Sequence, residues 1–149
     1  MLSRIAVPLL AAAGLVFACG PRTPSPLANA RPKAGADKGI TSHVMVDTAN
    51  GSVRFAIEVT NDSPKRVELR FPDGRTHDFS VLTSDGREVW RWSEGRLFTQ
   101  GIQNRLLDAH DSTIYDERWT PPAPGRYVLV AQLHSETHPV RQRVEFALR

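Results

Sequence analysis

The chain has 149 residues, 40% of them hydrophobic, and carries a net charge of +3 from 19 basic and 16 acidic side chains. The basic residues are dispersed, and neither a helix nor a loop gathers them into a phosphate-binding stripe, so nucleic acid is excluded as the expected partner. With Cys19 as the only cysteine, no disulfide can form within the chain and any domain must stand on its apolar core.

Residues 1–18 hold one positive charge, Arg4, followed by an apolar stretch from Ile5 to Ala18. That stretch is short for a bilayer span and suits a secretory signal peptide. It ends Val16-Phe17-Ala18-Cys19, which resembles the lipobox of bacterial lipoproteins, although Phe17 is bulkier than usual for its place. In that pattern the Cys19 sulfur takes a diacylglycerol and Cys19 becomes the new N-terminus; the alternatives are an ordinary signal whose cysteine falls at the junction by chance, or a buried free thiol. Two or three acyl chains, at about 0.8 kcal/mol per buried methylene, would anchor the protein without a transmembrane helix. Gly20 replaces the aspartate that tends to retain lipoproteins at the inner membrane of enteric-type bacteria. The expected location is the cell envelope, on an outer membrane facing the periplasm.

Residues 19–41 comprise Cys19 and a segment dominated by Pro, Ala, Gly, Arg and Lys, with almost nothing apolar to bury. This composition predicts a disordered tether with a span of roughly 25 Å. Residues 42–149 are enough for one compact domain and too few for two.

Within that domain the hydrophobic period becomes two. A strand is expected near His43 to Asp47. Val53, Phe55, Ile57 and Val59 then alternate with polar neighbours, as do Val67, Leu69 and Phe71. Asn61-Asp62-Ser63-Pro64 supplies the turn between these two runs. Asp73-Gly74 and Asp85-Gly86 read as hairpin turns. Further strands are expected over His77 to Thr83, Arg87 to Trp92, Ser112 to Trp119, Gly125 to His134 and Val140 to Leu148. Gly101 to Leu107 is the one place suited to a helical turn. Val128 to Ala131 is apolar on both faces, the mark of a central strand with some outer cover. Seven to nine short antiparallel strands predict an all-β fold, an immunoglobulin-like β-sandwich, with an eight-stranded barrel as the alternative.

Converging catalytic groups are hard to find. His134, Glu136 and His138 fall in one tight hairpin, but three such residues with no further ligand do not make a metal site. His77-Asp78 and Asp108/His110/Asp111 lack a serine in a nucleophile elbow, and neighbours on a strand face opposite ways. No catalytic residue, metal, cofactor or small-molecule substrate is expected.

Trp90 and Trp92 lie two apart, so both project from one strand face with Glu88, while Val89 and Arg91 face the other way. They serve either as core anchors or as a partly exposed platform for a partner. After Ser93, the exposed step Glu94-Gly95-Arg96 leads to Phe98, expected to fold back into the core, and Gln100. Thr120 to Gly125 is the other distinctive loop, stiffened by Pro121, Pro122 and Pro124. Both loops are candidate partner sites, and the second also reads as a plain connector.

The run Glu88-Val-Trp-Arg-Trp-Ser-Glu-Gly-Arg-Leu-Phe-Thr-Gln100 resembles the most recognisable stretch of the BsuPI-type intracellular proteinase inhibitor family. The resemblance extends through Val59-Thr60-Asn61, Val67-x-Leu69-x-Phe71 and Asp78-Phe79-x-Val81 before it, and Trp119 and Gly125-x-Tyr127 after it, covering residues 43 to 149. It implies a β-sandwich that binds a protein partner, a serine protease of subtilisin type, without covalent chemistry. An export signal does not match an intracellular role, which leaves open a second expectation of an envelope interaction module without inhibitory activity.

Overall fold

In a computed structural model, residues 39–49 and 51–149 are described; the signal segment, Cys19 and nearly all of the expected tether lie outside them. Nine antiparallel strands form a β-sandwich with no helix among the described residues: β1 (Ile40–Ala49), β2 (Ser52–Asn61), β3 (Val67–Phe71), β4 (His77–Thr83), β5 (Glu88–Arg91), β6 (Gln103–Leu107), β7 (Ser112–Trp119), β8 (Gly125–Leu133) and β9 (Val140–Leu148). One sheet has the order β1-β2-β7, a second β5-β4-β8-β9, and β3-β6 makes a two-stranded ribbon. The first strand begins two residues before the expected start of the domain, because Ile40 is an apolar side chain with a core to enter and is only 2% exposed.

The alternation read from the sequence sets the layers. Val53, Phe55, Ile57 and Val59 of β2 are buried against Phe79 and Val81 of β4, Leu129 and Ala131 of β8 and Val144 and Phe146 of β9. Val130 points to the outer face of β8, outside this cluster, yet is 4% exposed. Its partners Ser80 and Arg143 flank it there, in keeping with a covered central strand. Across the β1/β9 side, Gln142 Nε2 donates to Ser42 Oγ (2.6 Å) and Ser42 O (3.1 Å), so a buried side-chain amide joins the two sheets where no backbone ladder does.

Three local expectations need correction. Residues 103–107 form strand β6 rather than a helical turn; four of its five residues are exposed, so no alternation marked it in the sequence. Asp73-Gly74 does not close a hairpin, since β3 pairs with β6 and β4 with β5 and β8. Gly74 is instead demanded by a close approach: a Cβ there would lie 2.5 Å from Thr99 Oγ1. Val89 does not face away from the tryptophans. The β4–β5 register slips between Val81 and Leu82, and this bulge lets Val89 pack on the core beside Trp90. Glu88 is exposed and pairs with Arg91. Asp85-Gly86 closes the β4–β5 hairpin as expected, with Gly86 at φ 88°.

The loops are tied by Asn61, which is fully buried. Its Nδ2 lies 2.7, 3.1 and 2.9 Å from the carbonyls of Lys65, Leu107 and Asp108, and its Oδ1 accepts from Ser63 N (3.0 Å) and Ser63 Oγ (2.7 Å). The β2–β3 turn and the end of β6 therefore share one amide. Asn61→Ala strands those buried carbonyls and should lower stability by about 2 to 4 kcal/mol, measured as a reduced urea midpoint with an unchanged slope.

Candidate functional site

The candidate site grows out of β5, a four-residue edge strand. Trp90 pairs with Val81 and Trp92 N donates to Phe79 O (2.9 Å), which turns both indoles inward. There they close the side of the sandwich between β5 and β7. Trp90 lies 5.9 Å from Phe55 and 6.3 Å from Trp119, ring centroid to centroid, and Trp92 stacks on His77 at 4.3 Å and 24°. Both are half-buried and packed on the core. Trp92 also supports the loop that follows it, with Phe98 at 5.5 Å and the Arg96 guanidinium 4.8 Å above its ring. Phe98 thus rests on Trp92 at the sandwich edge, not among the core residues.

The start of the loop is fixed by a residue of the neighbouring strand β4 to which the sequence assigned no role at this loop. Asp78, 2% exposed, accepts from Ser93 Oγ (2.6 Å), Ser93 N (3.2 Å) and Arg91 NH1 (3.4 Å). Three donors on one buried carboxylate compensate its desolvation. The sequence signal was there in the pairing of Asp78-Phe79 with Trp92-Ser93, but only the β4–β5 ladder shows that they meet. Beyond Ser93 the chain turns through Gly95 at φ 72°, with Arg96 N bonded to Ser93 O (3.2 Å) and Arg96 Nε to Trp92 O (2.9 Å). Gly74 N then donates to Thr99 O (2.8 Å) and holds the far side. Glu94, Gly95, Arg96 and Gln100 are exposed.

The proline loop is built differently. Pro122 and Pro124 are exposed and Pro121 is half-buried. The Tyr127 hydroxyl donates to Ala123 O (2.8 Å), a tyrosine corner of the kind found in β-sandwiches. Gly125 lies against the Tyr127 ring, where an added Cβ would be 3.4 Å from the nearest ring atom, an ordinary van der Waals contact. This loop is pinned as a connector, at the opposite end of β7 from the Asn61 knot.

Beneath Trp92 lies a polar pair, His77 buried and Glu117 half-buried. His77 Nδ1 is 3.2 Å from Thr76 Oγ1, and Nε2 is 3.4 Å from Glu117 Oε1 without hydrogen-bond alignment. Burial pushes the His77 imidazole down to about 4 and the Glu117 carboxyl up, so at neutral pH the imidazole is uncharged and the contact is not an ion pair. His134, whose pKa burial also lowers, lies beyond them on the loop after β8.

Because the unfolded histidine takes a proton near pH 6.5 and the folded one near 4, the contribution of His77 to stability is fully present above pH 6.5 and lost as pH falls to 4. The shift corresponds to about 3 kcal/mol at 1.36 kcal/mol per pH unit. His77→Gln should remove most of that dependence. Urea unfolding of both proteins at pH 7 and pH 4 measures it.

Among solved structures, the chain is similar to a β-glucosidase of Erythrobacter marinus, at 14% identity over 74% of this chain and 15% of that one with a TM-score of 0.42. It is similar to the yjhA protein of Bacillus subtilis, at 15% identity over 78% and 94% with a TM-score of 0.41. It is also similar to the alkylpurine DNA glycosylase AlkC of Pseudomonas fluorescens, at 19% identity over 78% and 32% with a TM-score of 0.43. The chain spans only a small part of the first of these proteins, and none of the three likenesses bears on function. No curated protein matches the chain. The sequence profile of the BsuPI family, described as intracellular proteinase inhibitor, matches residues 40–138. That match runs from the first residue of β1 to the turn before β9, and by it the chain belongs to the BsuPI family of intracellular proteinase inhibitors.

Proposed function

We propose that this protein inhibits a serine protease by non-covalent docking of the β5–β6 loop into the enzyme's cleft, and that Cys19 tethers it by lipid to a membrane of the cell envelope. The observation that carries the reading is the bracing of residues 93–99. Asp78 and Trp92 hold one side of that segment and Gly74 holds the other. An inhibitor loop must be fixed before it meets the enzyme, since ordering a floppy loop on docking costs about 0.5 to 1.5 kcal/mol per immobilised side chain. Here hydrogen bonds and ring stacking supply what a disulfide supplies elsewhere. The proline loop is the weaker candidate, because its central carbonyl is already engaged by Tyr127.

The family description is of an intracellular inhibitor. The signal-like segment of residues 1–18 points instead to a protease of the envelope or one that passes through it. A second reading, an envelope docking module, is favoured by one feature. β6 and β7 are not paired with each other, and between them opens a groove of about 360 Å³ that includes Phe71, Gln103, Arg105 and Tyr115, with Ile114 and Leu106 exposed on these strands. Such unpaired edges accept an extended segment of a partner.

Titration of the purified protein against subtilisin-like and trypsin-like serine proteases tests the first reading. Expected is stoichiometric loss of activity with the added protein left uncut, and a roughly tenfold weaker inhibition by Asp78→Asn, which keeps the shape of the clamp but removes its charge. No inhibition of any enzyme would leave the docking module as the surviving reading.

The tether makes its own prediction. Cys19→Ser should move the protein from the membrane fraction to the soluble fraction, and continued sedimentation with membranes would refute lipid attachment.

A further inference from the structure

Leu97 is 100% exposed, the extreme case among the large apolar side chains of the described residues. A single exposed leucine is ordinary on a protein surface. This one is distinguished by what its neighbours do. Arg96 on one side lays its guanidinium over the Trp92 ring at 4.8 Å, and Phe98 on the other packs on the same ring at 5.5 Å. Both flanking side chains are drawn onto one indole, and the residue between them is driven outward. Among the described residues no hydrogen bond engages the Leu97 backbone, whereas Arg96 N, Phe98 O and Thr99 O are all bonded.

We propose that Leu97 is the specificity-determining side chain of this inhibitor, the one that fills the primary pocket of the target, and that the target is a serine protease with a deep apolar pocket. The inference rests on the inhibitor reading above and adds the residue and the pocket class. A protease cleft receives an extended segment by pairing with its backbone and takes one side chain into a pocket. Leu97 offers an unengaged N–H and C=O together with a side chain that loses no internal contact on docking. Arg96, the side chain an acidic pocket would select, is already committed: its Nε donates to Trp92 O at 2.9 Å while its charged head rests on the ring. Withdrawing it would break both contacts and loosen the loop. Gly95, at φ 72°, sets the turn that brings Leu97 to the tip.

The experiment compares the full-length protein with Leu97→Asp, Leu97→Phe and Leu97→Lys, titrated against subtilisin and chymotrypsin, which have apolar pockets, and trypsin, whose pocket is acidic. Unfolding midpoints are recorded for each protein; because Leu97 touches no other part of the fold, they should coincide. The wild type should inhibit an apolar-pocket enzyme at least tenfold more tightly than trypsin. Leu97→Phe should retain that inhibition, Leu97→Asp should lose at least a hundredfold, and Leu97→Lys should shift the preference toward trypsin. Full inhibition by Leu97→Asp would overturn the assignment of Leu97 while leaving the inhibitor reading in place. Preference of the wild type for trypsin, abolished by Arg96→Ala, would transfer the role to Arg96. Absence of inhibition by the wild type would overturn the inhibitor reading and, with it, the assignment of Leu97.

Discussion

Everything in this domain is arranged around Phe55. It is the fourth residue of β2 and has no exposure, and its ring lies 5.6 to 6.2 Å from those of Phe146, Trp90, Phe79 and Trp119. Those four rings come from β9, β5, β4 and β7, so one side chain binds the two sheets together from the middle of one of them. A buried phenylalanine is worth about 3 to 5 kcal/mol when truncated to alanine, against a total stability of about 5 to 15 kcal/mol for a domain of this kind. With Cys19 the one cysteine of the sequence, this aromatic cluster has to carry what covalent cross-links carry in many small disulfide-bonded domains.

The same cluster explains why Trp90 of β5 and Trp92 just after it belong both to the core packing and to the candidate site. Trp90 belongs to the Phe55 group, while Trp92, two residues along the same face, extends the stack to His77 at the sandwich edge and from there to Arg96 and Phe98 of the loop. The loop is therefore attached to the core through a ring-on-ring path rather than by the exposed ion pairs around it. Arg91–Glu88 and Arg66–Asp108 are solvent-exposed pairs, and such pairs contribute about 0 to 1 kcal/mol. Asp78 is different because it is buried and its donors include a backbone N–H of the loop itself. Removing a partner from a buried charge is costly in a way that removing a surface pair is not.

Much of this was legible in the chain. The alternation of Val53 to Val59 and Val67 to Phe71, the Asp85-Gly86 turn and the doubly apolar run at Val128 to Ala131 each correspond to an observed element, because burial of one sheet face imposes period two directly on the residues. Residues 101–107 misled for the converse reason. β6 is exposed along four of its five residues and bears no period, while the spacing of Ile102 and Leu106 imitates a helix. Asp73-Gly74 misled because an Asp-Gly pair marks a tight turn equally well when the chain passes from one sheet to another; its glycine answers a contact with Thr99, 25 residues away in the chain, which local chemistry does not announce.

What the sequence determined by itself was the class of the fold and its family, since strand periodicity and the Trp-x-Trp-Ser run are local patterns. The tertiary structure alone decided that Asp78 clamps Ser93, that Asn61 ties two loops, that Val89 is turned inward by a bulge, and that Leu97 rather than Arg96 stands free at the loop tip. The first three outcomes depend on strand pairing and register, which bring together residues 15 to 46 positions apart, and a one-residue change of register would have sent those side chains to the opposite face.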